Sequence, residues 1–142
     1  MSYSFGYDLG RNGGYEVGYT KGVTDGAGRG YNIRDPTYNE ALKFLAQDQT
    51  DKNQYNEDTY YCFHFAADVK KNAFKVGYRC GLVYIEFTSG AHAIVCFNTT
   101  DKGIIFIEPQ TDEIVQVVVG KYYEPSEFWI TGGTIKSYAI VW

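Results

Sequence analysis

The sequence predicts an α+β domain in which N-terminal helices pack on an antiparallel β-sheet, preceded by a glycine-repeat helical arm. Apolar residues recur at helical spacing up to about residue 76, and they then cluster in short runs rich in β-forming residues. These runs are joined by turns of a few residues, which is typical of antiparallel neighbours. Helices first and strands afterwards indicate α+β rather than a parallel α/β fold.

The first predicted helix has a clear start signal. Thr37 followed by Glu40 forms a capping-box pattern, in which each residue satisfies a backbone N–H that the helix leaves unpaired. A helix is therefore expected from Tyr38 to about Gln47. The polar residues 48–58 that follow are interpreted as a loop.

The second half of the chain contains five predicted strands. Their turns are rich in Gly, Thr, Ser and Asp, and a longer loop at 120–133 contains a proline and a glycine pair. The expected strands are Gly81–Phe87, Ala91–Asn98, Ile104–Glu108, Glu113–Val119 and Thr134–Trp142.

The N-terminal arm, residues 1–30, contains glycine at every fourth position from Gly6 to Gly30. Residues four apart share one helical face, so this spacing predicts a helix whose glycine stripe packs against a second copy of the chain. A flexible glycine-rich arm is the alternative, because glycine disfavours helices. The predicted domains are thus this arm and a domain at 31–142.

Composition excludes several classes of partner. The net charge is -4 and no run of like charges occurs, so no nucleic-acid partner is expected. No apolar stretch is long enough for membrane insertion, and no signal peptide opens the chain. Neither a zinc-type cysteine spacing nor a phosphate loop is present, so no metal or cofactor is predicted. The localisation is left open: a soluble chain, with a fragment of a cell-surface or secreted protein as one alternative.

Cys62 is the first candidate site residue. Asp58 or Thr59 can cap a second helix that ends near Val76, which places Cys62 in its first turn. Unpaired N–H groups and the positive end of the helix dipole stabilise a thiolate there. The competing interpretation is a buried structural cysteine.

His92 and Glu108 are predicted to face each other. If the turn between their strands pairs Phe97 with Gly103, His92 lies opposite Glu108 on one sheet face. The carboxylate can then orient the imidazole toward a thiol. A shift by one residue would separate them, and Asp112 is the reserve acid.

The second histidine, His64, lies two residues after Cys62. Residues at this spacing do not share a helical face, so a structural role is expected. A metal pair formed by Cys62 and His64 stays open as the alternative.

Two sequence segments resemble the transglutaminase-like superfamily, and within it the small, poorly characterised prokaryotic members. They are YYCFHFAADVKKNAFKVGYRCGLVYIEF and GAHAIVCFNTTDKGIIFIEPQ, and the resemblance covers about residues 35–120. It implies a transglutaminase-like, papain-like core with Cys62 as nucleophile, His92 as base and Glu108 as orienting acid. The family more often has Asp at the acid position, so Glu108 is a departure.

The function implied by this resemblance is acyl transfer. The thiolate would attack a carbonyl of a peptide or protein substrate, with the oxyanion held by the Cys62 N–H and by Gln54 or Tyr55. Hydrolysis, as in a cysteine peptidase or amidase, is the main hypothesis. The alternative is a non-catalytic binding or assembly module that oligomerises through the glycine arm. A CHAP-type amidase acting on cell-wall peptides is a third hypothesis.

Overall fold

One five-stranded antiparallel sheet dominates the part of the chain that the computed structural model describes, residues 32–127, 130 and 132–142. The strand order is β4-β3-β2-β1-β5, so the last strand pairs with the first and not with its neighbour in sequence. The strands are β1 (Gly81–Phe87), β2 (Gly90–Thr99), β3 (Gly103–Glu108), β4 (Glu113–Val115) and β5 (Ile135–Val141).

The predicted strands are confirmed in position, with one large difference in length. β4 ends at Val115, four residues before the predicted end at Val119. Beyond β4 the chain leaves the sheet, and Val117 and Tyr123 become buried in a hydrophobic cluster on one sheet face. The residues after Val115 therefore cover a face instead of extending an edge.

Two α-helices precede the sheet. The first, α1 (Tyr38–Gln47), is confirmed together with its capping box: the Glu40 N–H donates to Thr37 Oγ1 (3.1 Å) and the Thr37 N–H to Glu40 Oε1 (2.9 Å). The second, α2 (Cys62–Lys75), begins later than predicted.

Asp58 and Thr59 do not cap α2. Their backbone N–H groups donate to the side-chain oxygen of Asn56, and Asn56 pairs with Tyr60 through two backbone hydrogen bonds. These bonds close a tight turn, so the helix starts only after Tyr61, its extended N-cap residue.

The sheet separates two hydrophobic clusters. The helix-side cluster joins apolar residues of α1 and α2, such as Leu45 and Val69, to Val95 and Phe97 of β2. The opposite cluster contains Ile85 of β1, alternate residues of β2 and β3, and the residues that follow β4. This alternation follows from the period of two along a strand.

The predicted fold class, a helix-packed core of the transglutaminase-like or papain-like kind, is wrong. The described residues are mostly antiparallel sheet, and the α-helices are short, 10 and 14 residues. Each helix has a narrow apolar stripe, with three buried residues in α1 and four in α2. The helices therefore cover one face, while the chain after β4 covers the other.

The predicted arm, residues 1–30, lies outside the described residues, and its self-association stays a prediction. Within the described part, Asp35–Trp142 forms one compact unit. None of the described helices is long and apolar enough to cross a membrane.

Candidate functional site

Cys62 occupies the first position of α2. The first N–H groups of a helix lack partners within the helix, and the helix dipole favours negative charge at this end. The turn closed by Asn56 and Tyr60 fixes the chain that enters the helix. The thiol is partly exposed and is not in a disulfide. Its location therefore favours a thiolate that a ligand can reach.

His92 and Glu108 meet at one end of the sheet. His92 is the third residue of β2 and Glu108 the last residue of β3, and antiparallel pairing brings these two ends together. The distance from His92 Nε2 to Glu108 Oε1 is 2.6 Å. Both side chains are buried, His92 to 3% exposure and Glu108 to 0%.

The register that unites them differs from the predicted one by two residues. Thr99, not Phe97, pairs with Gly103. A shift of two residues keeps every side chain on its predicted face, whereas a shift of one would have moved it to the other. His92 and Glu108 therefore remain on one face and approach diagonally rather than directly opposite each other.

Glu108 accepts hydrogen bonds from three side chains and one backbone group. Oε1 accepts from His92 Nε2 and from the Tyr123 hydroxyl at 2.7 Å. Oε2 accepts from the Gln110 backbone N–H and from Gln110 Nε2, both at 3.3 Å. A fully buried carboxylate is tolerated when it is paired and hydrogen-bonded, and this set of donors meets that requirement.

The imidazole of His92 links this carboxylate to the sulfur of Cys62. The His92 imidazole and the Ala93 backbone N–H both lie close enough to the Cys62 sulfur to lower the pKa of its thiol. Because Nε2 is engaged with Glu108, the nitrogen left for the sulfur is Nδ1. The structure thus places Cys62, His92 and Glu108 in one row, with the imidazole between the sulfur and the carboxylate.

In this row, Cys62 and His92 each shift the pKa of the other toward its charged form. Burial raises the pKa of the Cys62 thiol, but the hydrogen bond and positive charge of His92 outweigh burial and leave that pKa below its ordinary value. Burial likewise lowers the pKa of His92, yet its bonds to Cys62 and Glu108 raise it to about 9. Both directions favour the pair of thiolate and imidazolium over the pair of neutral thiol and neutral imidazole.

Cys80 and Cys96 differ from Cys62 in every respect that matters for reactivity. Both are buried and free, at 2% and 0% exposure. Burial raises the pKa of Cys80 far above its ordinary value and that of Cys96 to about 12. Cys80 and Cys96 are therefore buried thiols with raised pKa values, whereas Cys62 is a partly exposed thiol with a lowered pKa.

The remaining candidates lie outside the row. His64 Nδ1 accepts the backbone N–H of Tyr61 at 3.2 Å, a helix-capping bond. Asp112 has a buried Oδ1 without a partner among the described residues, and burial raises its pKa to about 7. Gln54 is exposed, and Tyr55 is close enough for a thiolate at Cys62 to raise its pKa, after the larger effect of burial. The oxyanion role of Gln54 and Tyr55 stays untested.

The sequence analysis missed Tyr123 and Gln110. Gln110 follows the acid by two residues, so its proximity could have been found from the sequence. Tyr123 comes from the predicted loop after β4, and one of 14 tyrosines carries no local signal of this contact. No group of three or more His, Cys, Asp or Glu side chains among the described residues is placed to hold a metal ion.

Comparisons with known proteins find solved structures with a similar backbone fold. No family model matches the chain, and no curated protein does. A solved structure described as the PSL1a-E64 complex is similar, with a TM-score of 0.50 and 20% identity over 57% of this chain and 35% of that chain. A Polyporus squamosus lectin bound to the epitope Neu5Aca2-6Galb1-4GlcNAc has a TM-score of 0.50 and 21% identity, over 71% of this chain and 43% of that chain.

The likeness is one of backbone fold. Both neighbours are Polyporus squamosus lectin structures, and this chain spans less than half the length of either. The resemblance to the transglutaminase-like superfamily is therefore wrong. It rested on the order of Cys62, His92 and Glu108 with short stretches around them, and such an order does not specify the rest of a fold.

The predicted function needs the same correction. Acyl transfer by a cysteine peptidase or amidase is set aside, because it was implied by a transglutaminase-like fold and the similar structures are lectins. The predicted peptide or protein substrate and the predicted homo-oligomer through residues 1–30 have no support in these comparisons.

Proposed function

We propose that this chain is a binding module whose ligand site is centred on the Cys62 thiolate, which holds an electrophilic ligand through a covalent bond to sulfur. One observation carries the proposal: a buried imidazole lies between the Cys62 thiol, whose pKa it lowers, and a buried carboxylate 2.6 Å away. A thiol that served only packing would need neither partner, as Cys80 and Cys96 illustrate.

The capture step balances without a further reactant. With a ligand that contains an epoxide, the sulfur of Cys62 forms a bond to carbon, and the carbon–oxygen bond of the ring breaks. The proton on the His92 imidazolium passes to the released oxygen, so the product is a neutral thioether alcohol. The ligand stays attached, and the module binds once per thiol without turnover.

Exposed aromatic residues close to Cys62 in the chain indicate which ligand would fit. Tyr55, Tyr61 and Phe63 lie close to Cys62 in the chain and are 49%, 37% and 49% exposed. Exposed tyrosine and phenylalanine rings offer apolar contact area at low entropic cost, and tyrosine adds a hydrogen-bonding tip. A ligand with an electrophilic carbon next to a flat or apolar group suits this surface.

E64 is the probe for this proposal, since a similar structure was solved as the PSL1a-E64 complex and E64 carries an epoxide. The full chain is incubated with E64 or iodoacetamide near pH 7, and adducts are located by intact mass and peptide mapping. One adduct on Cys62 is expected, with Cys80 and Cys96 unlabelled as controls within the same molecule. His92→Ala should slow labelling by about tenfold or more, because burial then acts on the thiol without an opposing imidazolium.

Two results would overturn the proposal. One is labelling of Cys62 in the folded chain no faster than that of a free thiol in a short peptide. The other is labelling whose rate is unchanged in His92→Ala when thermal denaturation shows that the variant is folded.

Glycan binding is a second candidate function, favoured by one specific observation. A similar lectin structure holds Neu5Aca2-6Galb1-4GlcNAc, and this chain exposes aromatic residues that lie close to Cys62 in the sequence. Because the match covers 43% of that chain, it does not locate the glycan within the matched part. Titration with that trisaccharide, followed by NMR, should shift the signals of Tyr55 and Tyr61. Unchanged spectra at millimolar glycan would reject this candidate.

A further inference from the structure

We propose that Tyr123 is a positioning residue of the Cys62 site, which acts by donating its hydroxyl hydrogen bond to Glu108 and so keeps His92 charged. This inference rests on the proposed function, because it concerns the reactivity of the same thiol. Tyr123 lies 15 residues after Glu108 in sequence and belongs to the stretch that covers the sheet face after β4.

The surroundings of Tyr123 fix its ring in one place. The residue is fully buried, and its backbone N–H donates to the Gly133 carbonyl at 2.8 Å. Its ring centroid lies 5.4 Å from that of His92 and 6.0 Å from that of Phe87. A Cβ atom on Gly132 would lie 2.7 Å from the Tyr123 carbonyl oxygen, so only glycine permits this close approach.

The hydroxyl matters because Glu108 Oε1 is shared. Tyr123 and His92 both bond to this oxygen, at 2.7 and 2.6 Å, whereas the Gln110 bonds to Oε2 are longer, at 3.3 Å. In a dry site a carboxylate and an imidazolium can lower their desolvation cost if the proton moves to the carboxylate. A hydroxyl donated to Oε1 opposes that transfer, because it stabilises the ionised carboxylate.

The consequence reaches the sulfur through His92. A neutral imidazole cannot pair with a thiolate, so a change that leaves His92 uncharged also weakens the thiolate at Cys62. Burial and the neighbouring charge of Glu108 raise the pKa of Tyr123 far above its ordinary value. The hydroxyl therefore remains a donor throughout the pH range in which the thiol titrates.

The test is the pH dependence of Cys62 alkylation by iodoacetamide in Tyr123→Phe, which keeps the ring and removes only the hydroxyl. The midpoint should move up by about one pH unit, with alkylation about tenfold slower below the midpoint. Tyr122→Phe is the matched control, because Tyr122 is the neighbouring residue and is 58% exposed. Its profile should equal that of the wild type.

A double-mutant cycle separates a role through Glu108 from a general effect on packing. In a Glu108→Gln background, Tyr123→Phe should produce no further shift. An equal shift in both backgrounds would overturn the inference, as would a wild-type profile in a folded Tyr123→Phe. Replacement of Tyr123 by 3-fluorotyrosine, whose hydroxyl is a stronger donor, should lower the midpoint of the Cys62 alkylation profile. This replacement is the substitute test if Tyr123→Phe does not fold.

The two proposals fail in different ways. A wild-type Cys62 no more reactive than a free thiol rejects the proposed function. A reactive wild-type Cys62 whose profile does not depend on the Tyr123 hydroxyl rejects only the inference.

Discussion

Glu108→Gln is expected to lower the pKa of His92 from about 9 to about 6. The amide keeps the shape of the side chain but removes the charge that lies 2.6 Å from Nε2. Opposite charges about 4 Å apart between their centres interact by about 4 kcal/mol at an effective dielectric of about 20. At about 1.4 kcal/mol per pKa unit this corresponds to a loss of about three units.

Burial explains why the fall should be so large. Burial is the largest single effect on the pKa of His92 and lowers it, so the bonds to Cys62 and Glu108 must first cancel burial before they raise the pKa. Without the carboxylate, burial is opposed only by the bond to Cys62. The thiolate should weaken in parallel, because the imidazolium that stabilises it is lost.

The assay is NMR titration of the His92 ring, assigned by comparison with a His64→Gln variant. Glu86→Gln is the control, since the Glu86 carboxylate is 47% exposed and contacts Lys136 at 3.8 Å. Glu86 pairs with Ala91, so its side chain lies on the sheet face opposite to that of His92. The pKa of His92 should be unchanged in that variant. A value above about 8 in folded Glu108→Gln would refute the electrostatic argument.

Three further predictions concern the rest of the chain. Gly81→Ala should destabilise the fold by about 1–3 kcal/mol in urea denaturation, because its Cβ would lie 2.7 Å from Ile140 Cγ2; Ile140→Ala in the same chain should recover part of the loss. Burial raises the pKa of Asp112 from 3.8 to about 7, so ionisation costs stability as pH rises through this window. Asp112→Asn should therefore match the wild type near pH 4 and be more stable near pH 8 by about 1–2 kcal/mol after solvent screening; equal stability at both pH values would contradict this. Deletion of residues 1–30 should reduce the oligomeric state in sedimentation velocity, and an unchanged sedimentation profile would remove the proposed role of the arm.

Local signals predicted the local elements well. The capping box at Thr37 and Glu40 depends on residues three apart, and the sequence contains both partners. The start of α2 was wrong because Asn56, inside a polar stretch with many suitable caps, captures the N–H groups of Asp58 and Thr59. The Asn56 side chain therefore determines that α2 starts at Cys62 and not directly after Asp58 or Thr59.

The pairing of His92 with Glu108 was predicted from a register that is not the observed one. The turn tightens around Thr99, whose hydroxyl donates to the Gly103 carbonyl at 2.6 Å and accepts the Lys102 N–H at 3.0 Å. Gly103 adopts a positive φ of 71°, which suits a glycine. The prediction that His92 and Glu108 share one sheet face was still correct, because side chains alternate along a strand with a period of two and the register differs by two residues. The sequence therefore predicted the face more reliably than the register.

Tyr123 and the fold itself required information that no local pattern contains. The contact between Tyr123 and Glu108 depends on how the chain after β4 crosses the sheet. β4 itself ends at Val115, although β-forming residues continue for four more positions. The placement of β5 beside β1 likewise depends on that crossing. Long connections place residues by tertiary packing, which overrides propensity.

The row formed by Cys62, His92, Glu108 and Tyr123 joins two parts of the fold that otherwise pack separately. Cys62 packs against the helix-side cluster, whereas Tyr123 belongs to the opposite cluster. His92 and Glu108 connect them at one end of the sheet, so the charge on the sulfur depends on both clusters being in place. A thiol activated in this way loses its reactivity when either cluster opens, because the thiolate needs the imidazolium, and the imidazolium needs a carboxylate that Tyr123 helps to keep ionised.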